Sequence, residues 1–128
     1  MAKPGDSRPV FLDLFRIRFP IGAIASILHR VSGVLLFLAL PPLALGLEMS
    51  LRGEAQFEAL RSLLPAPWRI VLGTILAWAA THHLLAGIRH LLMDVGVGSA
   101  LGTARASARA VLAIALLAAL FAAWRGLS

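Results

Sequence analysis

The residues of this 128-residue chain that could do chemistry gather in one stretch, Thr81-His82-His83-Leu84-Leu85-Ala86-Gly87-Ile88-Arg89-His90-Leu91-Leu92-Met93-Asp94. Three histidines, an arginine and an aspartate close a long apolar run. Ionisable groups inside a bilayer are costly unless they face a cofactor, a partner or water, so such a cluster marks a functional site. At 100° per residue, His83, Gly87, His90 and Asp94 share one narrow stripe, while His82 and Arg89 point together to another side. The stripe offers an imidazole, a gap with no side chain, then a second imidazole and a carboxylate. A helix so built can receive a flat, acid-bearing cofactor.

A second constellation lies in the first apolar run, Ile21-Gly22-Ala23-Ile24-Ala25-Ser26-Ile27-Leu28-His29-Arg30-Val31-Ser32-Gly33. On a helix, Arg30 and Gly33 fall within about 40° of Ser26, and His29 about 60° away on the other side. Gly22 and Ala23 join the same face. A hydroxyl, a guanidinium and small residues thus line one wall inside the membrane boundary. Arginine keeps its proton, so Arg30 needs an anion, a carbonyl oxygen or a polar cavity opposite it.

The elements that must position these groups follow from composition. Hydrophobic residues make up 59% of the chain and charged residues 14%, with a mean hydropathy of +0.86; soluble domains carry about 25% charged residues. The pattern predicts an all-α membrane protein with three transmembrane helices, about 21–49, 68–95 and 104–125, after a short N-terminal segment. In that segment, residues 1–20, Phe11, Leu12, Leu14, Phe15 and Ile17 alternate with Asp13, Arg16 and Arg18, as in a helix lying on a membrane surface. Residues 21–128 form the transmembrane anchor domain. Pro20 suits an early helical position. Pro41-Pro42 should kink the first span or thin its outer half. Glu48 to Arg61 reads as a polar, partly helical connection. Gly96 and Gly98 end the second span, and Thr103 is the expected N-cap of the third. The third span is rich in alanine, suited to close helix contact, and reads as scaffold.

The net charge of +6 does not point to nucleic acid, because the basic residues sit at the ends of apolar runs rather than in a patch with aromatics. They set topology instead. Lys3, Arg8, Arg16, Arg18, Arg89, Arg105 and Arg109 face Arg52, Arg61, Arg69 and Arg125 across the membrane, with Arg30 inside it. The excess puts the N-terminus in the cytoplasm and the C-terminus in the periplasm of a bacterial-type inner membrane. No cysteine is present, which excludes disulfides, thiolate catalysis and cysteine-held clusters within this chain. The N-terminus has no short apolar run ending at a small-residue cleavage site, so no signal peptide is read.

Two of these motifs carry a family resemblance. Arg8-Pro9, Arg18-Phe19-Pro20-Ile21 and Ala23-Ile24-Ala25-Ser26-Ile27-Leu28-His29-Arg30-Val31-Ser32-Gly33 closely resemble the opening of the cytochrome b anchors of succinate dehydrogenase, respiratory complex II. His83 to Asp94 resembles the same family's haem segment, at the family's usual separation, and together the motifs cover about residues 8–96. The resemblance implies a haem b shared with a second, smaller membrane anchor, each subunit giving one axial histidine, here His83. It implies Arg30, His29 and His90 near the haem propionates, Ser26 and Arg30 at a ubiquinone site, and an acidic helix end at Asp94. It also implies partners, an iron–sulfur subunit and a flavoprotein subunit, besides membrane lipid. The chain departs from the family at His82, where an aromatic is common, at Gly22, where threonine is common, and in its outer loop.

Part of this stands on the residues themselves. Neutral imidazole is the usual protein ligand of low-spin haem. His83 and His90 lie roughly 10 Å apart along one face and cannot clamp one iron from opposite sides. The further ligand then comes from another helix. His29 is the one other candidate in the chain, lying nearer the cytoplasm than His83, and a partner chain is the better answer. A fixed Arg30 charge and the Ser26 hydroxyl would favour negative charge building on quinone oxygens. Asp94 and His29 are the titratable groups available to supply protons. His82 reads as structural or partner-facing, and Arg89 as snorkelling to headgroups or to soluble subunits. The expected function is a membrane-anchoring cytochrome b subunit of succinate:quinone oxidoreductase, part of an enzyme without a whole active site. The alternatives are the anchor of a quinol:fumarate reductase and a haem-free structural anchor.

Overall fold

The computed structural model describes residues 18–128. The amphipathic N-terminal segment and its Arg8-Pro9 pair lie, up to residue 17, outside the described residues. The described chain is helical throughout, in the order α1 (Ile21–Leu51), α2 (Glu54–Leu63), α3 (Ala66–Asp94) and α4 (Leu101–Leu127). The all-α expectation holds. α1, α3 and α4 are each long and apolar enough to cross a membrane, with mean hydropathies of 1.9, 1.4 and 2.1 in their most apolar stretches. At 1.5 Å per residue they measure between about 40 and 46 Å, which matches a bilayer including its headgroups. The chain is a multi-pass membrane protein.

Each helix starts and stops for a local reason. Pro20 is extended (φ −65°, ψ 151°), and its carbonyl accepts from the N–H groups of Ala23 and Ile24, which opens α1. α1 then runs unbroken through Pro41 and Pro42. The prolines remove two backbone donors, so the Leu38 carbonyl has no N–H to accept from at either the third or the fourth following residue. The polar connection contains a full ten-residue helix, α2, entered through Gly53 at φ 136°. Leu60 of α2 packs against α1 at Gly46, where an added Cβ would lie 3.5 Å from its methyl.

α3 ends in a glycine cap. The N–H of Gly96 donates to the Met93 carbonyl and that of Val97 to the Leu92 carbonyl, with Gly96 at φ 83°. Gly98, at φ 74°, completes the reversal so early that α4 begins at Leu101, with extended Ala100 before it. Thr103 is therefore not the N-cap. It lies inside the first turn of α4, and its methyl packs over Gly98.

α3 is the central element, packed on α1 and on α4. The buried residues of these two helices are mostly small: Ala79 and Ala86 beside His82 on α3, and Ala108, Ala115 and Ala119 around Val111 on α4. Small side chains let backbones approach in a medium where packing, not water, drives association. The large apolar side chains point outward instead, Phe37 at 71% and Leu117 at 64% exposure among them. The bundle has its grease outside, as lipid requires.

Candidate functional site

α1 and α3 run antiparallel, so the two constellations meet. His29 of α1 inserts its ring between His83 and His90 of α3, with ring centroids 4.3 and 5.1 Å away and both pairs stacked within 20°. The three imidazoles form a row. The gap foreseen at Gly87 receives His29: a Cβ on Gly87 would stand 3.5 Å from His29 Nε2. Gly33 does the same for His83, whose Cε1 would lie only 3.0 Å from a Cβ built there.

The orientation of His83 is fixed from one side. Its Nδ1 lies 3.1 Å from the His29 carbonyl oxygen, and Ser32 Oγ, fully buried, donates to the same carbonyl at 2.8 Å. A carbonyl can only accept, so Nδ1 carries the proton and donates. Nε2 then keeps its lone pair, which is the tautomer metal-binding imidazoles adopt. His90 likewise donates from Nδ1 to the Ala86 carbonyl one turn back, at 2.6 Å.

His82 shows the reverse arrangement. It is fully buried, stacks on Trp78 with centroids 5.5 Å apart, and its Nε2 donates to the Ala25 carbonyl of α1 at 3.2 Å. Its Nδ1 is buried with no hydrogen-bond partner. His82 is a structural peg between α3 and α1, with no face left for a partner subunit.

Arg30 is exposed and Ser26 half-buried, on the flank of α1 beside the histidine row. Arg30 sits nine residues into α1, about 13 Å along its axis. The ion pairs among the described residues, Arg52–Glu48 and Arg61–Glu58, are both at the other end of the bundle. Within the described residues, then, no carboxylate neutralises Arg30.

The chain as a whole has relatives among known proteins. The family described as succinate dehydrogenase/fumarate reductase transmembrane subunit matches residues 5–122. The chain belongs to that family. It is 44% identical over 90 residues to the succinate dehydrogenase cytochrome b556 subunit of Coxiella burnetii, covering 70% of this chain and 72% of the relative. It is 30% identical over 92 residues to the subunit of the same name from Paracoccus denitrificans, covering 72% and 71% of the two chains. With that of Rickettsia felis it shares 33% identity over 93 residues, 73% of this chain and 72% of the relative.

The relatives' names carry cytochrome b, and the residues present here fit a haem group. His83 offers one lone-pair nitrogen on a braced ring, in a cradle that a Cβ at residue 33 would fill. Among the described residues, no three histidine, cysteine or carboxylate side chains converge on one point.

Of the residues singled out in the sequence, His83, His29 and His90 come together, with Ser26 and Arg30 on the flank. Asp94 stands exposed at the end of α3, a polar helix terminus. Arg89 does not snorkel to headgroups. Its Nε donates to Ser107 Oγ at 3.0 Å and its Nη2 to the Ala104 carbonyl at 3.1 Å, tying α3 to the start of α4. Ser32 was not singled out, although its position three residues after His29 is the usual spacing for a serine bonded back to a carbonyl.

Proposed function

We propose that this chain is the membrane-anchoring cytochrome b subunit of a succinate:quinone oxidoreductase, sharing haem b with a second small anchor and lining part of the ubiquinone-reduction site. The observation that carries the reading is the His83 hydrogen bond to the His29 carbonyl, which leaves Nε2 as a ligand nitrogen. Haem b, when bound, supplies a one-electron carrier. His83 would hold the iron together with a histidine of the partner anchor. Arg30, His29 and His90 supply cationic or hydrogen-bonding groups for the propionates.

Quinone reduction takes two electrons and two protons, and negative charge builds on the quinone oxygens before protonation. The Arg30 guanidinium and the Ser26 hydroxyl favour that charge as fixed donors. Arg30 keeps its own proton, so protons come through water from a titratable group, His29 or Asp94. Succinate oxidation takes place on a flavoprotein subunit, and an iron–sulfur subunit carries the electrons inward. The excess of basic residues before the first span and around the turn after the second supports an N-terminus in the cytoplasm of a bacterial-type inner membrane. The name of the family spans fumarate reductases as well; the succinate direction follows the names of the relatives.

The test is the dithionite-reduced spectrum of the complex carrying His83→Leu. We expect the b-type α-band to disappear while the subunits still co-purify. An unchanged haem content would overturn the assignment of His83, and a wild-type complex without the band would leave the bare-anchor alternative. Arg30→Ala should lower quinone reductase activity about a hundredfold, the scale for losing one preorganised donor, with succinate oxidation by a soluble acceptor retained.

A further inference from the structure

At the end of the bundle away from the histidines, α1, α2 and α3 splay around a cleft of about 810 Å³. Its walls are apolar, with Leu38, Pro42 and Leu76 among them, and Arg61, Arg69 and Ser50 are the polar residues on its rim. We propose that this cleft holds one glycerophospholipid, an acyl chain lying along α1 and the phosphate received at the mouth by Arg69 and Arg61.

Dimensions argue first. Along α1 the cleft extends from Leu35 to Ser50, about 22 Å at 1.5 Å per residue. One leaflet, counted with its headgroups, is half of about 40–45 Å. The greasy depth and the charged mouth therefore coincide with the chain and headgroup levels of a single leaflet.

Charge argues next. Arg69 is fixed at the rim by its own backbone neighbours, Nη1 donating to the Arg61 carbonyl at 2.9 Å and to the Leu64 carbonyl at 2.6 Å. Among the described residues, its remaining N–H groups have no partner. Arg61 reaches Glu58 only at 3.4 Å, with both side chains more than half exposed. Two guanidiniums at headgroup depth suit a phosphate, which accepts charge-assisted bonds in a geometry that a neutral quinone ring cannot offer.

The site is separate from the proposed haem and quinone positions. Pro42 and Gly46 lie about 160° around α1 from Ser26, so a subunit seated against Arg30 leaves the cleft open. Gly73 supplies a clean probe, because a Cβ built there meets no atom within 4 Å. Gly73→Leu would add its side chain beside the cleft, starting from a Cβ that meets no atom within 4 Å.

The experiment uses the full chain with its accompanying subunits, delipidated in mild detergent. Native mass spectrometry then follows titration with palmitoyl-oleoyl phosphatidylglycerol or with the matching diacylglycerol. We expect one tightly retained phosphatidylglycerol and at least tenfold weaker retention of the diacylglycerol. Gly73→Leu should abolish retention with the visible spectrum and melting temperature unchanged. The Arg61→Gln, Arg69→Gln double variant should weaken it at least fivefold, an independent reading should Gly73→Leu fold poorly. Equal retention of phosphatidylglycerol and diacylglycerol, or wild-type retention in either variant, would overturn the proposal.

Discussion

Gly33 and Gly73, in opposite halves of the bundle, are glycines for opposite reasons. In the half that carries the histidines, Gly33 is a cradle: a Cβ there would stand 3.0 Å from the His83 ring. In the other half, Gly73 faces open space, with nothing within 4 Å. The same residue type serves close approach in one place and vacancy in the other. The difference follows from what each half must solvate. Imidazoles, a guanidinium and a buried hydroxyl need protein around them because hydrocarbon cannot hydrogen-bond. Leucine and proline walls need no such enclosure, and lipid can finish the packing.

Substitutions can break or sharpen that contrast. The largest effect is expected for Gly33→Val, which drives a branched side chain into the His83 ring. Overpacking of this kind costs about 1–3 kcal/mol, and the displaced ring should lower haem content at least tenfold, read from the reduced α-band per complex. His82→Ala comes next. It removes the bond to the Ala25 carbonyl and leaves a hole beside Trp78, for about 2–4 kcal/mol of lost stability, visible as a lowered melting temperature of the detergent-solubilised complex. His82→Phe refills the hole and should recover most of that loss.

Arg89→Ala cuts both ties between α3 and α4. We expect a loss of about 1.5–3 kcal/mol, the range for hydrogen bonds to a charged group, concentrated in faster hydrogen exchange over the first turns of α4. The smallest effect has the opposite sign. Gly73→Ala should stabilise the helix by about 0.5–1 kcal/mol, raising the melting temperature slightly. If Gly73→Ala destabilised as Gly33→Val does, the two sites would be packed alike and the contrast would fail.

Much of the architecture was legible in the sequence. The apolar runs located all three spans to within about three residues, because in lipid the length of a greasy run is itself the structural constraint. The glycine reversal after α3 was legible too, since Gly96 and Gly98 do adopt positive φ. Thr103 misled because a preferred capping residue says nothing about how early the preceding turn finishes. Within the site, the helical wheel placed His83, Gly87 and His90 on one face but showed an empty gap. The occupant, His29, belongs to another helix, and a single-helix projection does not contain it. The same blindness hid Arg89's partner, Ser107. His82 and His83 were hardest to tell apart: adjacent, chemically identical, each bonded to a carbonyl of α1. What separates them is which ring nitrogen makes that bond, and only tertiary geometry decides it.

The prolines of α1 bear on how the two halves move. The Leu38 carbonyl lacks a donor at both the third and the fourth following residue, so a bend at that level breaks no bond that was there before. The far third of α1 should therefore tilt cheaply, like a door leaf on a pin, widening or narrowing the apolar cleft. The rigid ladder below the pin keeps His29 and Ser32 still. Swelling or thinning of the surrounding bilayer would be absorbed at the greasy end before it reached the imidazoles.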